Sequence, residues 1–185
     1  LLEVMQEQQV TIEGQSFELD LPFLVLATQN PIEQEGTYPL PQAQLDRFLL
    51  KVFIDYPDID EELQMVKQIT CDAVADKLDV SSVKEVLQPE EILSLQRYTS
   101  KLEVDEQIVA YAVKIVRATR DWSGIESGSG PRGSISLLRA GRANAVLSGR
   151  RFVTPDDIKA VAPAVLRHRI KLSADLEIEG YQPDD

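Results

Sequence analysis

The sequence predicts a mixed α/β segment followed by an all-α segment, with helix as the main structure overall. Two continuous apolar runs, 23–27 and 49–54, are typical of strands buried on both faces of a parallel sheet. From Asp58 onward the apolar residues recur at helical spacing instead. We therefore expect one domain over residues 1–57 and a helical domain over residues 58–185.

The composition excludes several classes of function. Acidic residues outnumber basic ones 31 to 19, which argues against nonspecific binding to nucleic acid or to an anionic membrane. The single cysteine, Cys71, excludes an internal disulfide and a multi-cysteine zinc site, and it fits a reducing compartment. No apolar run approaches the roughly 20 residues of a membrane span, and no signal peptide is recognisable. We expect a cytoplasmic protein without a metal site of its own.

The first segment is expected to begin with an amphipathic helix over residues 1–7. Residues 9–12 and 15–19 then alternate polar and apolar side chains around Glu13-Gly14, which indicates a two-residue hairpin.

A short helix is expected between the two apolar runs. Pro41 suits the first turn of this helix, which leads to Arg47 and then to the last strand. Ligands in open α/β sheets bind beyond the carboxyl ends of strands, so the polar residues 28–30 after the first run are candidate ligand-binding residues.

Five helices are predicted in the second segment, each opened by a residue that caps a helix or suits its first turn. These residues are Asp58 or Asp60, Pro89, Asp105, Pro131 and Thr154. The apolar stripes of the first three helices are expected to lie in the core: Leu63, Val66, Ile69, Ile92, Leu93, Leu95, Ile108, Val109, Ala112 and Val116. Trp122 is expected to pack between helices, and Pro163 to kink or end the fifth helix.

The glycine-containing run 127–130 is expected to be flexible and to deliver Arg132 to the first turn of the fourth helix. A cation there interacts unfavourably with the positive end of the helix dipole, at a cost of about 0.3 to 1 kcal/mol. A role for Arg132 that compensates for this cost is therefore expected. The only histidine, His168, has no partner in the sequence for a metal site or a catalytic triad and is expected to be structural or exposed. The basic residues around it are expected to form a solvated or intersubunit face: Arg139, Arg142, Arg150, Arg151, Arg167, Arg169 and Lys171.

Three separated motifs carry a resemblance to a known family. They are Ala27-Thr28-Gln29-Asn30-Pro31, Tyr38-Pro39-Leu40-Pro41 and Leu45-Asp46-Arg47-Phe48. In this order they closely resemble the MoxR family of AAA+ ATPases, and the resemblance covers nearly the whole chain. It implies that residues 1–57 are the carboxyl-terminal part of an AAA+ αβα core and that residues 58–185 are the helical lid.

The resemblance also implies roles for three residues. Asn30 is similar to the sensor-1 residue, which places the attacking water near the γ-phosphate. Arg47 is similar to the arginine finger, which reaches the nucleotide of the neighbouring subunit. Arg132 is similar to sensor 2, which contacts the phosphates in its own subunit. These roles suit phosphoryl transfer, in which a finger arginine is worth roughly 10³ to 10⁵ in rate.

Each of these residues also has an ordinary interpretation. An Asn-Pro pair is typical of a turn, and an Asp-Arg-Phe sequence at a helix end is typical of a surface ion pair over a core aromatic. The sequence also departs from the family around Arg132, because the family commonly has Ala-Ser-Pro-Arg-Ala where this chain has glycine at 130 and 133. The additional glycine predicts a looser, less preorganised Arg132.

The function that the resemblance implies is ATP hydrolysis, with Mg²⁺, coupled to chaperone-like remodelling or to metal-cofactor insertion in client proteins. It further implies a homo-oligomeric ring, commonly a hexamer, that works with von Willebrand factor A domain proteins. The 185 residues contain neither a Gly-x-x-x-x-Gly-Lys-Ser/Thr phosphate loop nor an apolar strand ending in Asp-Glu. We therefore expect the carboxyl-terminal part of a longer ATPase, inactive by itself.

Two alternatives remain open. In the first alternative, the chain is a non-catalytic helical interaction module. In the second it belongs to a magnesium-chelatase ATPase subunit, since these subunits share the Asn-Pro and Leu-Asp-Arg-Phe motifs. The intervening sequence from Glu33 to Pro41 favours MoxR.

Overall fold

The computed structural model describes residues 2–29, 40–72 and 83–185. Their elements are α1 (Leu2–Glu7), β1 (Gln9–Ile12), β2 (Gln15–Glu18), α2 (Gln42–Leu45), α3 (Ile59–Asp72), α4 (Pro89–Ser100), α5 (Glu106–Asp121), β3 (Ile125–Ser127), α6 (Pro131–Leu147), α7 (Pro155–Leu166), β4 (Lys171–Leu172) and α8 (Ala174–Ile178). Residues up to Lys51 pack with residues 89–185 in one compact unit, and Val52–Gln88 form another. The domain boundary predicted at 57/58 coincides with neither limit of the second unit and stays a prediction.

The predicted opening helix and hairpin are both present. Strands β1 and β2 pair antiparallel, and the turn residues Glu13 and Gly14 have φ angles of 51° and 81°. Two positive φ angles at the centre of a two-residue turn give the backbone twist that suits a hairpin. Glu3 of α1 accepts hydrogen bonds from the Thr11 hydroxyl and, at 3.4 Å, from Gln9 Nε2. Helix α1 is thereby attached to the hairpin.

The prediction of two buried strands is wrong. Residues 23–29 and 49–54 form no strand, and apolar side chains within them are open to solvent. Leu24 is 76% exposed, Leu26 86% and Ile54 92%. A strand is stable only when a neighbour satisfies its backbone groups. Among the described residues neither run has such a neighbour, because the sheets there are the pairs β1–β2 and β3–β4.

The core of the larger unit lies between α5, α6 and α7. Gly141 is essential to the contact of α6 with α7, because a Cβ atom at this position would lie 2.7 Å from Ile158 Cδ1. The buried apolar residues are Leu102, Ile108, Ala112, Val116, Leu137, Ala140, Ala145, Val153, Ile158, Val165, Leu166 and Leu172. The stripe predicted for α5 is therefore confirmed apart from Val109, which is partly exposed.

The remaining predicted core residues are largely exposed. Leu63, Val66 and Ile69 of α3 are open to solvent, as is Leu95 of α4. An amphipathic stripe is buried only where a second element covers it, and α3 is the one helix that the structure describes in residues 52–88. Trp122, the residue that follows α5, is 67% exposed, so the prediction that it packs between helices is wrong.

The five predicted helix starts are confirmed, and those of α3, α5 and α7 are capped by side chains. Asp58 Oδ1 accepts hydrogen bonds from the N–H groups of Asp60 and Glu61, and Asp105 accepts one from Gln107. The fifth helix does not end at Pro163, because α7 continues for three residues to Leu166. In the described ranges, every helix falls short of the length and hydrophobicity that a bilayer crossing requires.

Candidate functional site

The structure describes two of the three predicted site residues. Asn30 lies outside the described residues. Arg47 lies half-buried in the turn after α2, where its N–H donates a hydrogen bond to the Gln44 carbonyl at 3.2 Å. Arg132 is exposed in the first turn of α6, directly after Pro131 at the first helical position, as predicted.

The turn that precedes Arg132 is held firmly against α5. Ser129 is fully buried, its N–H donates to Thr119 Oγ1 at 3.0 Å, and its carbonyl accepts from Arg120 Nε at 2.7 Å. The Thr119 hydroxyl donates in turn to the Val116 carbonyl at 2.7 Å. Both main-chain polar groups of Ser129 are therefore satisfied by the last turn of α5.

The glycines of this turn allow close packing. A Cβ atom at position 128 would lie 2.4 Å from the Thr119 carbonyl oxygen, and one at position 133 would lie 2.2 Å from Ser129 Oγ. The expectation of a flexible run over 127–130 is therefore wrong at Ser129, whereas the looser, less preorganised Arg132 stays a prediction. Glycine at 128 and 133 removes the side chains that would keep the turn away from the helices.

The start of α6 is suited to an anion. Arg132 places an exposed guanidinium at the positive end of a 17-residue helix, where both its charge and the helix dipole favour a phosphate group. Ser136, one helical turn after Arg132 on α6, accepts a hydrogen bond at 3.3 Å from a second arginine, Arg169. For Mg²⁺, no group of three His, Cys, Asp or Glu residues is placed to hold a metal ion within the described ranges.

Arg169 binds the turn that carries Arg47. Its guanidinium is buried, with 3% of the residue exposed, and Nε donates to Asp46 Oδ1 at 3.0 Å. Nη2 donates to the carbonyls of Asp46 at 3.0 Å and Phe48 at 2.6 Å, and Nη1 donates to that of Leu49 at 3.3 Å. Burial lowers the pKa of Arg169, and the carboxylate of Asp46 opposes that shift.

His168 lies beside this guanidinium. It is buried, and its Nε2 lies 3.1 Å from the Phe48 carbonyl oxygen and 2.8 Å from Arg169 Nη1. Burial, together with the positive charge of Arg169, lowers the pKa of His168 to about 4. The ring is therefore neutral at pH 7 and acts as a structural group, one of the two roles predicted for it.

Further hydrogen bonds attach residues 42–51 to the end of α7. Gln42 Nε2 donates to the His168 carbonyl at 2.8 Å, and the Lys51 N–H donates to the Ala164 carbonyl at 2.8 Å. Arg167 Nη1 donates to the Lys51 carbonyl at 3.2 Å, and the same side chain forms an ion pair with Asp184. The arginine-containing turn and the carboxyl end of α7 thus form one packed region.

A second buried charge cluster lies at the start of α7. Asp157 accepts hydrogen bonds from Arg150 Nη1 at 2.6 Å, from Asn144 Nδ2 at 2.8 Å, and from the N–H and hydroxyl of Thr154 at 2.8 Å each. The hydrogen bond from Arg150 holds the pKa of Asp157 well below its usual range. The predicted solvated or intersubunit basic face is therefore wrong for the buried Arg169, whereas Arg150 pairs with Asp157 and keeps 31% of its side chain exposed.

Comparisons with known proteins agree with this architecture. The model of the ATPase family associated with various cellular activities (AAA) matches residues 1–50, and the model of the AAA lid domain matches residues 117–185. Chaperone MoxR1 of Mycobacterium tuberculosis is 39% identical over 193 aligned positions, which include all of this chain and 49% of that protein. The chain belongs to the MoxR group of AAA+ ATPases. The predicted class, an AAA+-type α/β segment with a helical lid, is confirmed by these matches.

Other relatives and a solved structure are also similar to this chain over most of its length. YeaC of Bacillus subtilis, an uncharacterized protein, is 42% identical over 185 residues, which are the whole chain and 56% of YeaC. A crystal structure from Cytophaga hutchinsonii, described as that of a candidate ATPase, has a TM-score of 0.85 at 38% identity and covers 98% of this chain and 56% of its own. The magnesium-chelatase 38 kDa subunit of Acidiphilium rubrum is less similar, with 32% identity over 92% of the chain and 48% of that subunit. The chain thus spans about half the length of these relatives.

Arg169, which connects the turn of Arg47 to the helices of the lid, is not predicted from the sequence of this MoxR-type chain. The sequence pattern groups Arg169 with a solvated or intersubunit basic face, yet Arg169 binds the main chain on both sides of Arg47 and donates a hydrogen bond to Ser136 of α6. One signal was available, because Arg169 lies between Leu166 and Ile170 and so close to the core. Its partner Asp46 is 123 residues away, and no local pattern connects the two.

Proposed function

We propose that this chain is the part of a MoxR-like AAA+ ATPase that reads the nucleotide and completes the hydrolytic site of the next subunit. The observation that carries the proposal is Arg132, an exposed guanidinium at the positive end of α6 on a turn fixed by buried Ser129. Bound ATP supplies the phosphoryl group that is transferred to water.

Each site residue has a separate role in the proposal. Arg132 binds the phosphates in its own subunit, since a guanidinium matches phosphate oxygens with two parallel hydrogen bonds. Arg47 reaches the neighbour's nucleotide and neutralises the charge that develops on the transferred group. Asn30 orients the attacking water through its side-chain amide. The ring is a hexamer, and the cofactors are ATP and Mg²⁺.

The proposed cellular role is chaperone-like. Hydrolysis drives remodelling of client proteins or insertion of a metal cofactor into them, in the cytoplasm and with von Willebrand factor A domain proteins as partners. The name of the M. tuberculosis relative supports the chaperone role. The lower identity of the magnesium-chelatase subunit favours this assignment over the chelatase alternative.

The test separates binding from hydrolysis in the full-length protein that contains this chain. Arg47→Ala is expected to lower kcat by roughly 10³ to 10⁵ with ATP binding unchanged, because a finger arginine acts in the transition state. Arg132→Ala is expected to weaken ATP binding instead. Steady-state kinetics and titration with a fluorescent ATP analogue measure both effects.

The matched control is Arg151→Ala, which removes an exposed arginine beyond the carboxyl end of α6 and should change neither quantity. Wild-type turnover in Arg47→Ala would reject the finger assignment, and wild-type ATP affinity in Arg132→Ala would reject the phosphate-binding role.

One observation favours a non-catalytic interaction role as a second candidate. The stripe of Leu63, Val66 and Ile69 on α3 is exposed, and exposed apolar surface commonly marks a contact with another protein. If neither arginine variant alters ATP binding or turnover, the interaction role is the better description of the chain.

A further inference from the structure

We propose that Arg169 is a positioning residue for Arg47. It fixes the turn of residues 46–49 on α6 and α7, so that the guanidinium of Arg47 is presented to the neighbouring subunit in one orientation. The inference rests on the role proposed above for Arg47 and adds the residue through which the lid controls it.

The hydrogen bonds of Arg169 bracket Arg47. They go to the carbonyl oxygens of Asp46, Phe48 and Leu49, and the acceptors therefore lie on both sides of the finger residue. All three acceptors are main-chain atoms, so the contact sets the direction of the backbone itself. The ion pair with the Asp46 carboxylate at 3.0 Å adds a fourth fixed point.

The same guanidinium is attached to two helices of the lid. Nη1 donates to the Val165 carbonyl in the last turn of α7, and Nη2 donates to Ser136 Oγ of α6 at 3.3 Å. Ser136 lies one helical turn after Arg132 on α6. The turn that carries Arg47 is therefore bound to the helix that carries the proposed phosphate-binding arginine.

Burial makes this contact specific for arginine. Arg169 is 3% exposed, and a buried charge needs a full set of partners. Lysine would keep the charge, but its ammonium group is a single point with three donors and cannot reach a carboxylate and three separate carbonyls. Arg169→Lys should therefore loosen the turn while keeping the net charge.

Loosening the turn should reduce catalysis more than binding. A displacement of about 1 Å of a catalytic group can cost about 100-fold in rate. Because the finger serves the neighbour's site in the transition state, we expect kcat to fall by about 100-fold while KM and ATP affinity change by less than about threefold.

The experiment compares Arg169→Lys with Arg151→Lys in the full-length protein. Arg151 is exposed, and its replacement by lysine should leave kcat and KM at wild-type values. A second comparison places Arg169→Lys in the Arg47→Ala background, with slow residual turnover followed by release of labelled phosphate. If Arg169 acts through Arg47, the double variant is no slower than Arg47→Ala itself.

Three results would overturn the inference: wild-type kcat in Arg169→Lys, a loss of ATP affinity as large as the loss of kcat, or a further large loss in the Arg47→Ala background. If Arg169→Lys fails to fold, Asp46→Asn decides by the same measurements, because it removes only the ion pair and is expected to lower kcat by about 10-fold. Failure of the finger role itself is recognised separately, by turnover that survives Arg47→Ala alone.

Discussion

Two ion pairs of this protein join a guanidinium to a carboxylate at the edge of the same core, but they differ in how far apart their partners lie in the sequence. Arg150 and Asp157 are seven residues apart, and Asp157 also caps α7 through Thr154. Arg169 and Asp46 are 123 residues apart and join the finger turn to the lid. The first pair stabilises one helix start, whereas the second fixes the relative position of two segments.

Similar chemistry serves different purposes in the two pairs. The Asp157 cluster satisfies donors that any helix start leaves open, so it is a local solution to a local problem. The Arg169 cluster satisfies carbonyls of a turn that has no regular structure of its own. We therefore expect changes in the first to affect mainly stability and changes in the second to affect mainly catalysis.

Asp157→Asn is expected to have the largest effect on the pair of Arg150 and Asp157. It should lower the free energy of unfolding by about 3 to 4 kcal/mol, from breaking a buried pair and weakening a helix cap. This value lies at the low end of the range for a broken buried ion pair, because Arg150 keeps 31% of its side chain exposed and can be solvated. The loss of free energy is measured by urea unfolding, with pulse-labelling hydrogen exchange of the α6 and α7 amides as the readout.

The control for this prediction is Asp156→Asn in the same turn. The Asp156 side chain is 90% exposed and lies 3.8 Å from Lys159, so its loss should cost less than about 0.5 kcal/mol. Equal effects of the two variants would mean that Asp157 acts only through its charge near the helix end.

Gly133→Ala tests a local contact that involves no charged group, between Gly133 of α6 and Ser129. The new Cβ would lie 2.2 Å from Ser129 Oγ, which is buried, and 3.4 Å from Leu166 Cδ2. We expect a loss of about 2 kcal/mol from overpacking, measured by the same exchange experiment.

Two further variants isolate the cause of that loss. Ser129→Ala removes the clashing oxygen, so the double variant should regain most of the stability. Gly130→Ser places a Cβ where no atom lies within 4 Å and should be nearly neutral. An unimproved double variant would show that the backbone, not the hydroxyl, limits the space at position 133.

The Arg169 cluster, which includes His168, is expected to contribute less stability at acidic pH. His168 has a pKa of about 4 in the folded protein against an ordinary value of 6.5, so below pH 6.5 the unfolded chain binds a proton that the folded one does not. Stability contributed by the neutral ring is thus complete above pH 6.5 and is lost as the pH falls towards 4. The loss between about pH 6.5 and about pH 5 should be about 1.5 kcal/mol.

His168→Gln should remove this part of the pH dependence, which urea midpoints at several pH values would measure. A slope that persists unchanged in the variant would assign the acid sensitivity to another group. Asp157→Asn should leave the slope in this range intact, since the pKa of Asp157 lies far below it.

The elements predicted from sequence were those with local causes. The hairpin at Glu13-Gly14, the cap at Asp105 and the first-position Pro131 each follow from the backbone preferences of a few adjacent residues, and all are present. The apolar run at 23–27 failed as a strand prediction because a strand needs a neighbour that local sequence does not supply.

The candidate site divides in the same way. The position of Arg132 in the first turn of α6 follows from Pro131, but the rigidity of the turn before it does not follow from its glycines. Glycine allows both flexibility and close packing, and only the position of Thr119 against Ser129 decides between them.

The helix starts, the hairpin and the family motif that singles out Arg47 are predictable from sequence, because short-range backbone preferences and adjacent side chains are sufficient for them. The burial of Arg169 and its contacts with Asp46 and Ser136 follow instead from the tertiary structure. The physical reason is that a buried guanidinium takes its partners from whatever the fold brings within hydrogen-bonding distance, and for Arg169 those partners include residues more than 100 positions away.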